Sequence, residues 1–507
     1  MKNTKLYKIL SVFVLVTMLT ACSEDFLNVE PIGKLAESDF YETDQDAMMA
    51  LIATYDILQW ANARDWNSAY FVKTLPSDES NTGGGDAGDQ PPYQELNTYT
   101  YSSGNPTIAA AYESNYHGVF RANKVINEVE AANDFRTAII AEAKCLRAYY
   151  YFELVSMFGR VPLILTELAP SEYKQPNAEV NAIYAQIEAD LTDAIADLPL
   201  KSEYAFEDKF RVSKGTAQAL LGKVYLFQEK WQQAADVLGD VIASNEYDLE
   251  PEFDKLFLEE KEFGIESLFE VSYTSSEGYD WGTFQWGGNR SMESNIHWQL
   301  MGPRGDFFNA GESSLAGGWG FNYPTEATYQ AYVDAGDEIR RNATVMSIEE
   351  LEAMGGSWSN PTAWGYEGYF RVKYGTILAE TNTDAVAEVN YGTNLRLLRF
   401  ADVLLMAAEA NYRAGDEDQA RTELNKVRLR AGLGDVTASG TALFDAIVTE
   451  RQLELAFEGV RFLDLIRWGL APTVLGDDGF QTGKHELYPI PLEELNNNDL
   501  LEQNPGW

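Results

Sequence analysis

Cysteine and histidine are nearly missing from this 507-residue chain, which has two cysteines, Cys22 and Cys145, and three histidines, His117, His297 and His485, all far apart. So few ligands at such spacings assemble neither a disulfide framework nor a zinc-type cluster, so no metal and no cofactor is expected. Positive charge is scarce too: 38 Lys and Arg stand against 79 Asp and Glu, for a formal net charge of -41. Nucleic-acid phosphates need clustered cations, so nucleic acid is not an expected partner; the balance favours a neutral or cationic ligand. The apolar run Ile9 to Leu19 is too short for a comfortable membrane span. The glycine run Gly83 to Gly85 lacks the Lys-Ser or Lys-Thr ending of a phosphate-binding loop and reads as a plain flexible turn.

What the N-terminus does have is a leader. Residues 1–21 carry Lys2, Lys5 and Lys8, then the apolar run, then small residues before Cys22, which predicts a signal peptide. Leu19-Thr20-Ala21-Cys22 resembles a lipobox, so Cys22 is expected to become an acylated N-terminus, followed by the acidic Ser23-Glu24-Asp25. Cys145 then has no disulfide partner and reads as a small buried hydrophobe within a helix.

Helical periodicity dominates the rest. Glu37 to Trp60 places Ala47, Leu51, Tyr55 and Leu58 on one side, with Ser38 or Thr43 as the cap. Further helices are predicted over Ala109–Ala131, Thr137–Phe158 and Asn181–Leu198. From Gly215 to Ser244, Gly222, Tyr225, Ala234 and Leu238 fall where a tetratricopeptide unit places its packing residues. Ala408, Ala420, Leu424 and Val427 repeat those offsets, with Asn411 where an aromatic is usual. Such pairs bury their apolar faces only by stacking, so the expected fold is mainly α: about four tetratricopeptide-like helix pairs in a curved array, covering roughly residues 109–260 and 395–470. In the stretch ERQLELAFEGVRFLDLIRWG, Glu450 to Gly469, charges of alternating sign recur every three or four residues: Arg451, Glu454, Glu458, Arg461, Asp464 and Arg467. This predicts a single helix whose charged row is a salt-bridge ladder into its neighbours.

Two stretches, about 61–107 and 274–374, break the periodicity and form a loop-rich part on the helical base. The second holds six of the eleven tryptophans and fifteen of the 39 glycines. Rings set among glycines are presented by loops whose backbone approaches a ligand closely, and a flat ring face suits the apolar face of a sugar. The expected carbohydrate-binding platform is Trp281, Trp286 and Trp298, supported by Trp319 and by Asp65, Trp66 and Asn67 of the first stretch. Asp280, Asn289, Arg290 and Asn295 are placed to hydrogen-bond hydroxyls. In the tail, Tyr488 to Pro491 and the terminal Pro505-Gly506-Trp507 read as an extended strand tied back onto the body.

Several of these motifs together resemble the SusD/RagB family of outer-membrane lipoproteins. They are the lipobox, LPSDES at Leu75 to Ser80, AEAKCLRAYYYFELVSMFGRVPL at Ala141 to Leu163, FADVLLMAAEANYRAG at Phe400 to Gly415, the Glu450 to Gly469 stretch, LYPIPLEEL and QNPGW. The resemblance implies that residues 22–507 are a single SusD-like domain: a non-enzymatic, lipid-anchored binder of a glycan at the cell exterior. It also implies delivery of that glycan to a SusC-like TonB-dependent barrel transporter. Alternatives are a peptide-binding uptake lipoprotein or helical-repeat adaptor, and a glycoside hydrolase, which needs two carboxylates about 5 to 10 Å apart. No GxSxG elbow lies near any histidine.

Overall fold

The computed structural model describes residues 40–63, 66–285 and 292–507. Cys22 and the leader, Ser38, Asp65, Trp286, Asn289 and Arg290 lie outside the described residues.

Thr43 caps the first helix, Asp44–Asn62: its side chain accepts the Asp46 amide while the Asp46 carboxylate accepts the Thr43 amide. Two amides left over at a helix start are thereby satisfied reciprocally. Asn105, Asn133 and Ser213 likewise accept first-turn amides of the helices Pro106–Glu128, Asp134–Phe158 and Lys214–Phe227.

The helices pack in single file. Asp44–Asn62 lies on Pro106–Glu128 and that on Asp134–Phe158; Val180–Asp197, Lys214–Phe227 and Trp231–Ala243 follow in order. Phe400–Ala414 then packs on Trp231–Ala243 and on Glu417–Arg430, so the row continues across the long segment between them. This mainly helical architecture holds the expected pairs, and it starts before residue 109 because residues 63–105 are spliced between the helices of the first pair. A Cβ at Gly222 would lie 2.5 Å from the Leu238 side chain, so the small residue of the repeat is set by the bulky one on the next helix. Ala408, Ala420, Leu424 and Val427 are fully buried in the later unit, and Asn411 donates its amide to the Ala407 carbonyl.

The expected single helix over Glu450 to Gly469 is two, Thr441–Leu455 and Arg461–Arg467, with Phe457 and Gly459 at positive φ between them. Buried side chains capture the backbone at this break. Tyr332 donates to the Leu453 carbonyl, Lys373 and Arg399 donate to that of Glu454, and Tyr70 and Arg371 to that of Phe457, whose amide goes to the Glu79 carboxyl. Cations and hydroxyls placed on its last carbonyls end the helix, which side-chain periodicity alone does not reveal.

The charged row is a buried ladder. Arg399 reaches Glu266 at 2.7 Å, Glu454 at 2.5 Å and Glu458 at 2.7 Å. Arg451 bridges Asp402 and Asp464, Arg467 pairs with Glu409, and Arg461 pairs with Asp78 of the LPSDES run. The segment between the array's two parts is closed at its ends by the antiparallel strands Ser267–Val271 and Leu395–Arg399. Within it Leu315, Tyr323, Met346, Leu351, Trp358 and Phe370 make a second small core. The tail is tied down as expected but not as a strand: it contains the short helix Leu492–Asn497, and Asn504 and Trp507 hydrogen-bond back to the body. Among the described residues no helix is long and apolar enough to cross a membrane.

Candidate functional site

The two loop regions meet at a row of indole rings. Trp66 and Trp319 lie near-parallel with centroids 5.3 Å apart, and Trp319 and Trp281 near-parallel at 6.3 Å. Trp281, at the end of the row, is 50% exposed; Trp66 and Trp319 are half-buried. Offset parallel rings are a favoured arrangement.

Each ring has its own support. The Tyr93 hydroxyl donates to the Trp66 carbonyl, and the Phe321 ring meets the Trp66 ring edge-on at 5.9 Å. The Trp319 amide donates to the Gln299 carbonyl at 2.9 Å and the Phe321 amide to that of Leu300, lacing this segment along the short helix Ile296–Met301. A Cβ on Gly318 would lie 2.5 Å from the Gly302 Cα, an approach only glycine allows. Trp281 follows Asp280, whose carboxylate accepts the Gly282 and Thr283 amides at 2.7 and 2.9 Å. Those two bonds hold the Asp280 carboxyl below its usual range, and they fix the turn that carries Trp281.

Several predicted site residues are elsewhere. Trp298 is 1% exposed, stacked on Tyr374 at 4.7 Å and 3°, with its indole N–H donating to the Thr393 carbonyl. It is a core residue on a six-residue helix too short to show a period. Asn295 is buried as the cap of that helix, accepting the His297 amide, and so is not a reader of hydroxyls. Asn67 lies beside Trp66 and accepts from the Thr107 hydroxyl at 2.9 Å, a tie between loop and base. The Gly83 to Gly85 run is a packed turn, not a loose one: a Cβ at Gly83 would lie 2.1 Å from the Gly320 carbonyl oxygen.

Next to Trp66 and Trp319 opens a cleft of about 440 Å³, also lined by Asp89, Gln299, Arg304, Asp306 and Glu388. Arg304 lies 3.0 Å from Asp306 and 3.6 Å from Asp89. Sequence reasoning missed this cleft. Arg304-Gly305-Asp306, an opposed charge pair in a glycine-rich turn, carried a signal; Gln299, inside the apolar run IHWQLM, carried none. Among the described residues no group of His, Cys, Asp and Glu side chains is placed to hold a metal ion.

Residues 266–507 match the model of the SusD family, and residues 25–226 match a family described as starch-binding associating with outer membrane. A solved laminarin-binding SusD-like protein is 35% identical, with 92% of this chain and 100% of that one covered and a TM-score of 0.83. This chain belongs to the SusD family. Among its SusD relatives is SusD-like protein P2 of Formosa agariphila, 29% identical over 99% of this chain and 100% of the relative. The fold is also shared with surface glycan-binding protein A from Bacteroides thetaiotaomicron, solved in complex with laminarihexaose: 26% identity, 91% and 99% covered, TM-score 0.76.

Proposed function

We propose that this SusD-family protein is a glycan-binding lipoprotein of the outer membrane. In this reading it is anchored through Cys22 with the ring platform facing the exterior, captures an oligo- or polysaccharide without turning it over, and delivers it to a TonB-dependent barrel transporter. The observation that carries the reading is the Trp66, Trp319 and Trp281 row, where two loop regions distant in sequence converge to present near-parallel indoles at the surface. Relatives named for laminarin, laminarihexaose and starch support a sugar as the occupant. Asp65, Trp286, Asn289 and Arg290 are proposed to contribute to glycan binding.

A sugar covers only part of an indole, so each ring contributes about half of the ~1.5–3 kcal/mol of a fully buried large side chain. Ordering a flexible chain offsets part of this, which sets the affinity at about micromolar to millimolar. Isothermal titration with laminarihexaose as the first probe tests it: Trp281→Ala and Trp319→Ala should each bind roughly fivefold to tenfold more weakly while remaining folded by circular dichroism. Wild-type affinity in both variants would overturn the platform, and titratable binding of peptides with none of sugars would favour the peptide-uptake alternative. For the anchor, Cys22→Ala should lose incorporation of labelled fatty acid; a variant that stays in the outer membrane at wild-type levels would refute it.

A further inference from the structure

Trp364, in the second loop-rich stretch, is taken up by neither the ring platform nor a core. Trp298 packs in the main core and Trp358 in the second small one, whereas Trp364 is 45% exposed and packs in neither. A single exposed apolar side chain needs no explanation by itself; one that the fold takes care to hold does. The Trp364 indole N–H donates to Gln94 Oε1 at 3.0 Å. The next residue, Gly365, has a φ of +71°, and a Cβ there would lie 2.6 Å from the Thr82 carbonyl oxygen and 3.0 Å from the Gly83 Cα, an approach only glycine allows. On the other side, Trp358 Nε1 and the Ala363 amide both donate to the Asn360 carbonyl, at 2.6 and 3.0 Å. The ring is thus held out to solvent by a backbone fixed before and after it.

Gln94 also ties this ring to the cleft beside Trp66 and Trp319. Its Nε2 donates to the Gly83 carbonyl at 2.9 Å and to the Asp89 carbonyl at 3.2 Å. One carboxamide therefore separates the Trp364 indole from Asp89, which lines the cleft. The Gly83 to Gly85 turn meets both neighbours: Gly83 abuts Gly365, and a Cβ on Gly84 would lie 2.7 Å from the Phe321 ring, which supports Trp66.

We propose that Trp364 is an outer sugar-stacking residue, reached by a glycan that leaves the ring platform and crosses the cleft and the Gly83 to Gly85 turn. This rests on the platform reading and adds chain length to it: the ligand is a polysaccharide or long oligosaccharide, not a short one. Indole nitrogen is a donor only, and here Gln94 already takes that donor. What remains for a ligand is the apolar ring face, which suits the C–H face of a pyranose. Such a contact has no hydrogen bond with which to read a hydroxyl pattern, so it selects length and not sugar identity. Holding the ring in advance reduces the ordering cost of binding. A second contact on an already captured chain benefits from a high effective concentration, and only a ligand that spans both places gains from it.

The test titrates the purified full chain with laminaritriose, laminarihexaose and laminarin. The quantity read is the ratio of wild-type to variant affinity for each probe, in which the extra registers of a long chain cancel. Trp364→Ala should bind laminarin roughly threefold to tenfold more weakly, hold the triose within about twofold of wild type, and keep the wild-type thermal midpoint. Trp364→Phe, which keeps a flat face, should retain most of the laminarin affinity, and Trp364→Leu should not. Undiminished laminarin binding by Trp364→Ala, with Trp281→Ala weakened, would overturn the outer ring and leave the platform standing. Equal losses for triose and laminarin would overturn a contact separate from the platform, and a Leu variant as good as the Phe one would overturn stacking. No binding of any probe by wild type would count against the platform itself and the outer ring with it.

Discussion

Glu79, in the LPSDES run, is a carboxyl that the fold leaves short of partners. It is 1% exposed; one oxygen accepts the Phe457 amide at 3.2 Å and the other has no hydrogen-bond partner among the described residues. Burial first, and then the neighbouring Asp78 charge, push it up to about 8 from an ordinary 4.5. The folded state thus holds this proton more tightly than the unfolded chain. The stability it contributes is complete below pH 4.5 and is lost as pH rises through about 8. Glu79→Gln removes the titration. The stability of this variant relative to wild type should therefore rise across that window and level off above it, as read from denaturant midpoints at several pH values. A pH-independent difference would show that Glu79 is ionised throughout. What could be read in advance at this scale was composition, not partnership. Tryptophans among glycines marked Trp281 and Trp319, and the break in periodicity marked Trp66, but Trp298 has the same kind of surroundings in sequence as the first two. It differs through Tyr374 and Thr393, which lie far along the chain and which no local pattern points to.

The Arg451 to Arg467 row shows the same division at the level of elements. Alternating charges at helical spacing made an enclosed ladder legible, because buried charge persists only when paired. The break at Phe457 was not legible, since it depends on Lys373, Arg399, Tyr70 and Glu79 reaching backbone groups from other elements. Glu454 is the hinge of the ladder. Burial alone would raise its carboxyl, but the Arg430, Arg399 and Arg340 guanidiniums outweigh that and hold it well below the usual range. Glu454→Ala should therefore cost the ~3–5 kcal/mol of breaking a buried pair, because Arg399, Arg340 and Arg430 all lose a shared buried carboxylate while each keeps another partner. Asp418→Ala, which breaks the pair between Arg421 and an aspartate whose side chain is 93% exposed, should cost under about 1 kcal/mol. Chemical denaturation of both variants measures the contrast, and equal losses would mean that the ladder is not what locks these helices.

Across the whole molecule, the array was the most legible feature, because a 3.6-residue period and the Gly222 and Leu238 offsets are local and each helix pair must stack to cover its apolar face. How the chain closes on itself was visible only as a hint, the proline- and tryptophan-bearing end. Trp507 stacks on Tyr101 at 5.1 Å, lies under the Lys484 ammonium at 4.2 Å, and donates to the Lys484 and Leu487 carbonyls. Asn504 donates to the carbonyls of Phe158, at the end of the helix Asp134–Phe158, and of Tyr488, whose hydroxyl in turn reaches the Val72 carbonyl. Phe462 of the helix Arg461–Arg467 packs against Tyr488 at 6.0 Å. Early loop, first half of the array and last helices are thus joined through five residues that local propensity would leave frayed. Deleting Gln503 to Trp507 removes part of an indole's burial, worth about 1.5–3 kcal/mol when complete. It also strands two buried carbonyls at ~1–3 kcal/mol each. The truncated protein should therefore lose roughly 3–8 kcal/mol and melt several degrees lower in calorimetry, while the ring platform, which none of these contacts touches, keeps its sugar affinity at 25 °C. Loss of sugar affinity in a truncated protein that is still folded at that temperature would mean that the tail also positions the loops, and an unchanged melting curve would mean that it does not close the molecule at all.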